Sequence, residues 1–260
     1  MGGHDTFITE ACEYTNSFLS FFPTISIILN IDADHLDFFK NIDDIRHSFR
    51  LFAEKLPENG ILIINSDIPN YEEITKGLPC RTVTYGSSAD SEYSASDITF
   101  DDHAHPTFTF VKKGQPVAQV SLKVPGIHNV WNATAALALG DLLGIDIETM
   151  KKGLSEFSGA DRRFEKKGEI GGVTIIDDYA HHPTEIMATL KAAKNCPHKK
   201  LWCVFQPHTY TRTKALMEDF AKALSMADEV VLADIYAARE TDNLGITSDT
   251  LREKIEALGT

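Results

Sequence analysis

Cysteine is sparse in this chain, and its four residues, Cys12, Cys80, Cys196 and Cys203, form no CxxC pair. That argues against a disulfide framework or a thiolate zinc site and fits reduced thiols in a cytosol. No apolar run is long enough to cross a bilayer and no signal-peptide pattern is present, so the sequence reads as cytoplasmic. Positive charge is in short supply as well. With 25 Lys and Arg against 38 Asp and Glu, the net charge is -13, which repels nucleic acid and anionic membrane surfaces. An anionic ligand would therefore need a metal ion or a few placed arginines to invert the local field. Internal repeats and low-complexity tracts are missing, as are both phosphate-cradling glycine patterns, GxxxxGK(S/T) and GxGxxG. What remains is ordinary: 43% hydrophobic and 24% charged residues over 260 positions, enough for one large domain or two.

The densest chemistry lies in IIDDYAHHPTEI, Ile175 to Ile186. The apolar run Val173–Ile176 predicts a strand, and Ile186, Leu190 and Ala193 after Pro183 predict a helix running to Asn195. Between them stand two acids, Tyr179, His181 and His182, at the carboxyl end of a strand, where open α/β sheets place their ligands. The plainer reading is a helix start whose Asp and His side chains only cap it. Two later strands, Leu201–Phe205 and Glu229–Ala233, also end in polar groups, the first in Gln206-Pro207-His208-Thr209-Tyr210-Thr211-Arg212 and the second in Asp234 to Glu240. That recurrence at three strand ends favours a functional crest.

Earlier in the chain, Thr6–Thr9 and Thr24–Asn30 read as strands, the first running into Glu10-Ala11-Cys12-Glu13 and the second into Asp32, Asp34, His35 and Asp37. The opening residues pass into Thr6–Thr9 at once, as they do in a chain that begins inside a domain. A helix with Ile42, Ile45, Phe49, Phe52 and Leu56 on one stripe leads to a strand at Ile61–Asn65, a βαβ rhythm that implies a parallel sheet. The pattern then alternates at Ile98–Phe100, Thr107–Lys112 and Val117–Val124, as in antiparallel strands at a sheet edge. An Ala/Leu-rich helix follows within Pro125–Gly144, with Asn129 and Asn132 in its first turn. The domain boundary is placed at Gly159–Arg163, giving domains of 1–159 and 160–260.

Several of these stretches, in this order, resemble the Mur ligases: Glu10 to Glu13, Asn30 to His35, Gly126-Ile127-His128-Asn129 with Asn132, Arg162-Arg163-Phe164, Asp177 to Glu185, and Phe205 to His208. The resemblance covers nearly the whole chain. It implies an α/β fold made of part of a central ATP-binding domain and part of a Rossmann-like C-terminal domain for the amino acid, with the UDP-sugar domain and the P-loop outside the sequence. It also implies ATP and Mg2+ as cofactors, and ATP-dependent amide formation between UDP-N-acetylmuramate and L-alanine in peptidoglycan synthesis.

By the same resemblance Glu10 and His35 are magnesium ligands, and because both follow predicted parallel strands they are expected within a few Å of each other. His128, Asn129 and Asn132 meet the nucleotide, the asparagines at adenine, while Arg163 and Asp177 hold its ribose region. Tyr179, grouped with the nucleotide set, and the catalytic set His181, His208 and Arg212 match the side of the cleft where the amino acid sits, and all four are expected to converge. Thr209 departs from the pattern, because many members carry arginine there, which leaves Arg212 as the carboxylate clamp of this loop. Three other readings compete. One is a ligase of the same family that joins a whole murein tripeptide. Another is a metal-dependent hydrolase built from Asp34, His35, Asp37 and the Asp177–His182 crest. The last is an inactive nucleotide-recognition fragment.

Overall fold

The computed structural model describes residues 6–36 and 38–260, and within them the chain divides into two compact units, Met1–Tyr85 and Gly86–Thr260. Asp37, singled out above, lies outside the described residues.

In the first unit, isoleucine-rich runs form the parallel strands β1 (Ile25–Ile28) and β2 (Ile61–Asn65), and the threonines, Val83 and Tyr85 form β3 (Arg81–Gly86), with Ile28 opposite Ile64 and Ile63 opposite Val83. Parallel neighbours require crossovers, which α1 (Ile42–Ala53) and the short α2 (Glu72–Thr75) provide. Helix α1 starts where the Asn41 side chain accepts the Asp44 N–H at 3.0 Å, a cap worth about 1 kcal/mol. Its apolar stripe then packs Ile45 and Phe49 against Ile28, Leu62 and Ile64. A 3-10 segment, Tyr14–Ser20, seats Phe18 flat on Phe52 at 4.6 Å. Thr6–Thr9 corrects the sequence reading: it forms no strand, and Phe7 and Ile8 are exposed. A strand needs a neighbour for its amides, and none of the described strands pairs with this run.

The second unit opens with an antiparallel meander, β4 (Tyr93–Phe100), β5 (Pro106–Lys112) and β6 (Gln115–Ser121). Helix α3 (Ile127–Leu142) packs on β4 and β5, burying Val130, Ala133, Leu137 and Ala138. Helix α4 (Ile147–Glu156) lies so close to it that a Cβ on Gly140 would stand 2.2 Å from Met150 Sδ. Next come β7 (Glu165–Ile170) and β8 (Val173–Asp177), then α5 (Pro183–Lys194), β9 (Trp202–Phe205), α6 (Tyr210–Ala215), α7 (Met217–Leu224), β10 (Glu229–Leu232) and α8 (Ser248–Glu256). Strands β9 and β10 are parallel, and around them Ile186, Leu190, Phe205, Phe220, Leu224 and Leu251 form a core.

Strand β8 overturns a second expectation. Instead of opening a parallel βαβ series, it pairs antiparallel with β7, Ile170 opposite Val173, in a separate two-stranded sheet. The cause is local: Gly171 and Gly172 hold φ of 60° and 80°, the double left-handed turn that closes a two-residue hairpin.

Candidate active site

The crest after β8 is ordered by its own side chains. Asp178 accepts the Phe164 and Ala180 N–H groups, each at 2.8 Å, and Tyr179 donates its N–H to the Arg162 carbonyl at 2.7 Å, so the start of β7 is stitched to the end of β8. His182, buried, caps α5: its Nδ1 accepts the Thr184 N–H at 3.3 Å, while Glu185 Oε2 accepts the N–H groups of His181 (3.0 Å) and His182 (3.2 Å). This is a capping box with histidine in the place usually held by serine or threonine. Pro183, in the first turn, has no N–H to leave unsatisfied.

That frame aims His181 outward. Its Nδ1 lies 2.9 Å from the Tyr179 carbonyl oxygen, which can only accept, so the tautomer that fits carries its proton on Nδ1 and its lone pair on Nε2. The Tyr179 ring stands edge-on to His181 at 5.2 Å, and the His208 ring lies 6.5 Å from it, tilted. Arg212 Nη1 approaches His208 Nδ1 at 3.4 Å, and because a guanidinium only donates, His208 takes the opposite tautomer. Tyr179, His181, His208 and Arg212 are therefore together, as the strand ends implied. Tyr236, from the end of β10, joins them with its ring 5.5 Å from His208.

The residues assigned to the nucleotide are less closely grouped. Asn129 donates to the Pro125 carbonyl at 2.8 Å and accepts from the Asn132 amide at 3.3 Å, so the pair forms a joined polar face on the first turn of α3. Below them Nδ1 of His128 is buried without a hydrogen-bond partner, and burial holds the His128 pKa below its ordinary value; Asp178 nearby pulls it up and Arg163 pushes it down. Gly126, at φ 95°, leaves the room this ring needs, since a Cβ there would stand 2.7 Å from His128 Cε1. Arg163 and Asp177 do not meet each other: Arg163 faces Glu185 at 3.7 Å, and Asp177 faces Arg162 at 3.6 Å and Lys167 at 3.9 Å. These partly exposed pairs hold little energy and leave both groups available to a ligand. Arg162 also lies over the Tyr179 ring at 4.7 Å.

In the first unit His35 sits at φ 54° with its ring stacked on Tyr14 at 4.6 Å. Among the described residues Glu13 lies 3.5 Å and Asp34 3.9 Å from its Nε2. Glu10, the ligand expected from the sequence, is exposed on the segment that forms no strand, so the carboxylate brought to His35 is Glu13 instead. Among the described residues no three His, Cys, Asp or Glu side chains converge to hold a metal ion. The oxygen donors do suit Mg2+, which binds through one or two carboxylates and completes its shell with water and phosphate oxygens. Burial pushes Cys203 up to about 11 and also raises Cys80 and Cys196, which keeps these three thiols protonated. No helix among the described residues is long and apolar enough to cross a membrane.

Sequence reasoning passed over Glu13, Glu185 and Glu240. The first two stand in the matched stretches and the third closes the polar end of the last strand; only their contacts set them apart.

Residues 1–140 match the Mur ligase middle domain and residues 162–260 the Mur ligase, glutamate ligase domain. The chain belongs to the Mur ligase family. It is 59% identical to a UDP-N-acetylmuramate--L-alanine ligase of Lachnospira eligens, over 100% of this chain and 57% of that protein. Among solved structures it resembles the UDP-N-acetylmuramate-alanine ligase of Thermotoga maritima, with a TM-score of 0.74 at 30% identity over 94% of this chain and 51% of that one. A murein peptide ligase from Psychrobacter arcticus is less similar, with a TM-score of 0.59 at 27% identity over 83% of this chain and 44% of that one. The chain thus spans about half the length of these relatives.

Proposed function

We propose that this chain acts within an ATP-dependent ligase that joins L-alanine to UDP-N-acetylmuramate, a step of peptidoglycan precursor synthesis, with the domain boundary at Gly159–Arg163. The observation that carries the reading is the convergence of Tyr179, His181, His208 and Arg212 in a chain this similar to ligases of that name. The boundary is supported by the gap between the two family matches, 140 to 162. The tripeptide-joining alternative is less well supported, because its structural relative is the more distant one.

The residues suit the chemistry. The muramoyl carboxylate attacks the γ-phosphorus of ATP, forming an acyl phosphate and releasing ADP; the alanine amine then attacks the acyl carbon, and phosphate leaves as the amide forms. Arg212 supplies a planar fork for the alanine carboxylate. His181, through its Nε2 lone pair, is placed to take the proton that the amine loses. Asn129 and Asn132 offer amide groups to adenine, with Arg163 and Asp177 at the ribose. When bound, magnesium neutralises phosphate charge. His35 would hold it together with Glu13, or with Glu10 three residues back on the same segment.

The test is formation of UDP-N-acetylmuramoyl-L-alanine by the full-length protein given ATP, Mg2+ and both substrates. Absence of that product would refute the reading. The 260-residue chain alone should release no phosphate, because its sequence holds no GxxxxGK(S/T) cradle for the β and γ phosphates.

A further inference from the structure

We propose that Glu240 is a positioning residue for the amino-acid side of the site, holding the loop that presents His208 and Arg212; the inference rests on the ligase reading above. It begins at Thr209, which lies between those two residues in the sequence. Its φ of 67° and ψ of 141° put a β-branched residue in backbone territory that favours glycine. Such a conformation persists only where its surroundings over-determine it, and strain of this kind gathers at functional sites.

The surroundings do so. The Thr209 N–H donates to the Tyr236 carbonyl at 2.8 Å, the Thr213 hydroxyl donates to the Thr209 carbonyl at 2.7 Å, and Thr209 Oγ1 accepts the Arg212 N–H at 3.4 Å. The next donors in the chain all end on one carboxylate. Glu240 accepts the Tyr210 N–H, the Thr211 hydroxyl, and the Thr211 N–H, the last at 3.2 and 3.3 Å to its two oxygens. These are first-turn amides of α6 with no partner inside the helix, and an anion is the acceptor they prefer. A second strap lies beside it: Tyr236 donates its N–H to the Pro207 carbonyl at 2.8 Å, and Gln206 donates its side-chain amide to the Asp234 carbonyl at 3.2 Å.

Glu240 therefore acts from outside the loop, some thirty residues along the chain. It fixes the turn on whose two sides His208 and Arg212 project. Without it the strained turn relaxes, and the Arg212 fork and the His208 ring lose their registration on the alanine carboxylate. The nucleotide residues, borne on α3 and the β7–β8 crest, are untouched.

The experiment uses the full-length ligase for kinetics and the 260-residue chain for amide exchange. Glu240→Ala should raise the KM for L-alanine about tenfold while those for ATP and UDP-N-acetylmuramate change less than about twofold. Glu240→Gln keeps one oxygen for both backbone amides and an amide that the Thr211 hydroxyl can accept, so it should restore the alanine KM to within about threefold of wild type. Thr211→Val, which removes only the hydroxyl, should give an intermediate rise and covers the case in which Glu240→Ala fails to fold. Exchange of the Tyr210 and Thr211 amides should quicken about tenfold in Glu240→Ala. Faster exchange with an unchanged alanine KM would reduce Glu240 to a structural residue and overturn the proposal. Equal rises in all three constants would do the same. A wild-type protein unable to ligate L-alanine would instead sink the functional reading itself.

Discussion

His128 shows how one side chain can register both packing and charge. Its ring fits only because Gly126 lacks a Cβ, and its Nδ1 is sealed without a partner. Burial is the main reason its pKa falls below the ordinary 6.5, outweighing the pull of Asp178. A histidine depressed in the folded state adds stability that is present above the unfolded pKa and lost as the pH falls through the folded one. The melting temperature of the 260-residue chain should therefore drop more steeply below about pH 6.5 in wild type than in His128→Leu, which has no proton to bind. Parallel melting curves for the two proteins across pH 5 to 8 would show that the ring is not the source.

Magnesium use turns on a second choice between single residues. Sequence resemblance pointed to Glu10, whereas the structure sets Glu13 against His35 at 3.5 Å. If the ion is shared by His35 and Glu13, then in the full-length enzyme Glu13→Gln should raise the magnesium concentration needed for half-maximal activity about tenfold, and Glu10→Gln should change it little. The reverse order would return the role to Glu10.

At the scale of elements, α3 is tied to the meander by a half-buried polar knot. Asp141 accepts the Tyr93 hydroxyl at 2.6 Å and Lys112 Nζ at 2.7 Å, and Tyr93 is fully buried. The knot offsets an acid placed at the carboxyl end of a helix, where the macrodipole disfavours it. Asp141→Ala should cost about 1–3 kcal/mol in urea unfolding, because it strands the Tyr93 hydroxyl away from water, and Asp141→Asn should cost less. Helix α1 and strands β1 and β2 were legible in the sequence because a 3.6-residue stripe and β-branched runs each bury one way only. The β7–β8 hairpin was not, although Gly171-Gly172 was a signal for it. Lys166, Lys167 and Glu169 give β7 no apolar alternation, since a strand of a separate two-stranded sheet has little buried face to show.

For the molecule as a whole, the clearest test of the amino-acid side is Arg212→Lys in the full-length enzyme. An ammonium cannot reproduce a two-pronged grip on a carboxylate, so the KM for L-alanine should rise about tenfold or more and that for ATP should stay near wild type. Matched changes in both constants, or none, would remove Arg212 from the clamp.

By itself, the sequence determined the alternation of strands and helices, the cluster of titratable residues at strand ends and the family resemblance. All three are written in local order: apolar period, turn residues, and short motifs that must stay contiguous. Tertiary structure decided which of those residues meet. His181 and His208 lie on different strand ends, Glu240 reaches back to Tyr210 and Thr211 from 30 and 29 positions along the chain, and Glu13 rather than Glu10 comes to His35. Such contacts depend on strand pairing and on the path of the loops. A run such as Thr6–Thr9 can have every residue of a strand and still lack the neighbour that would make it one.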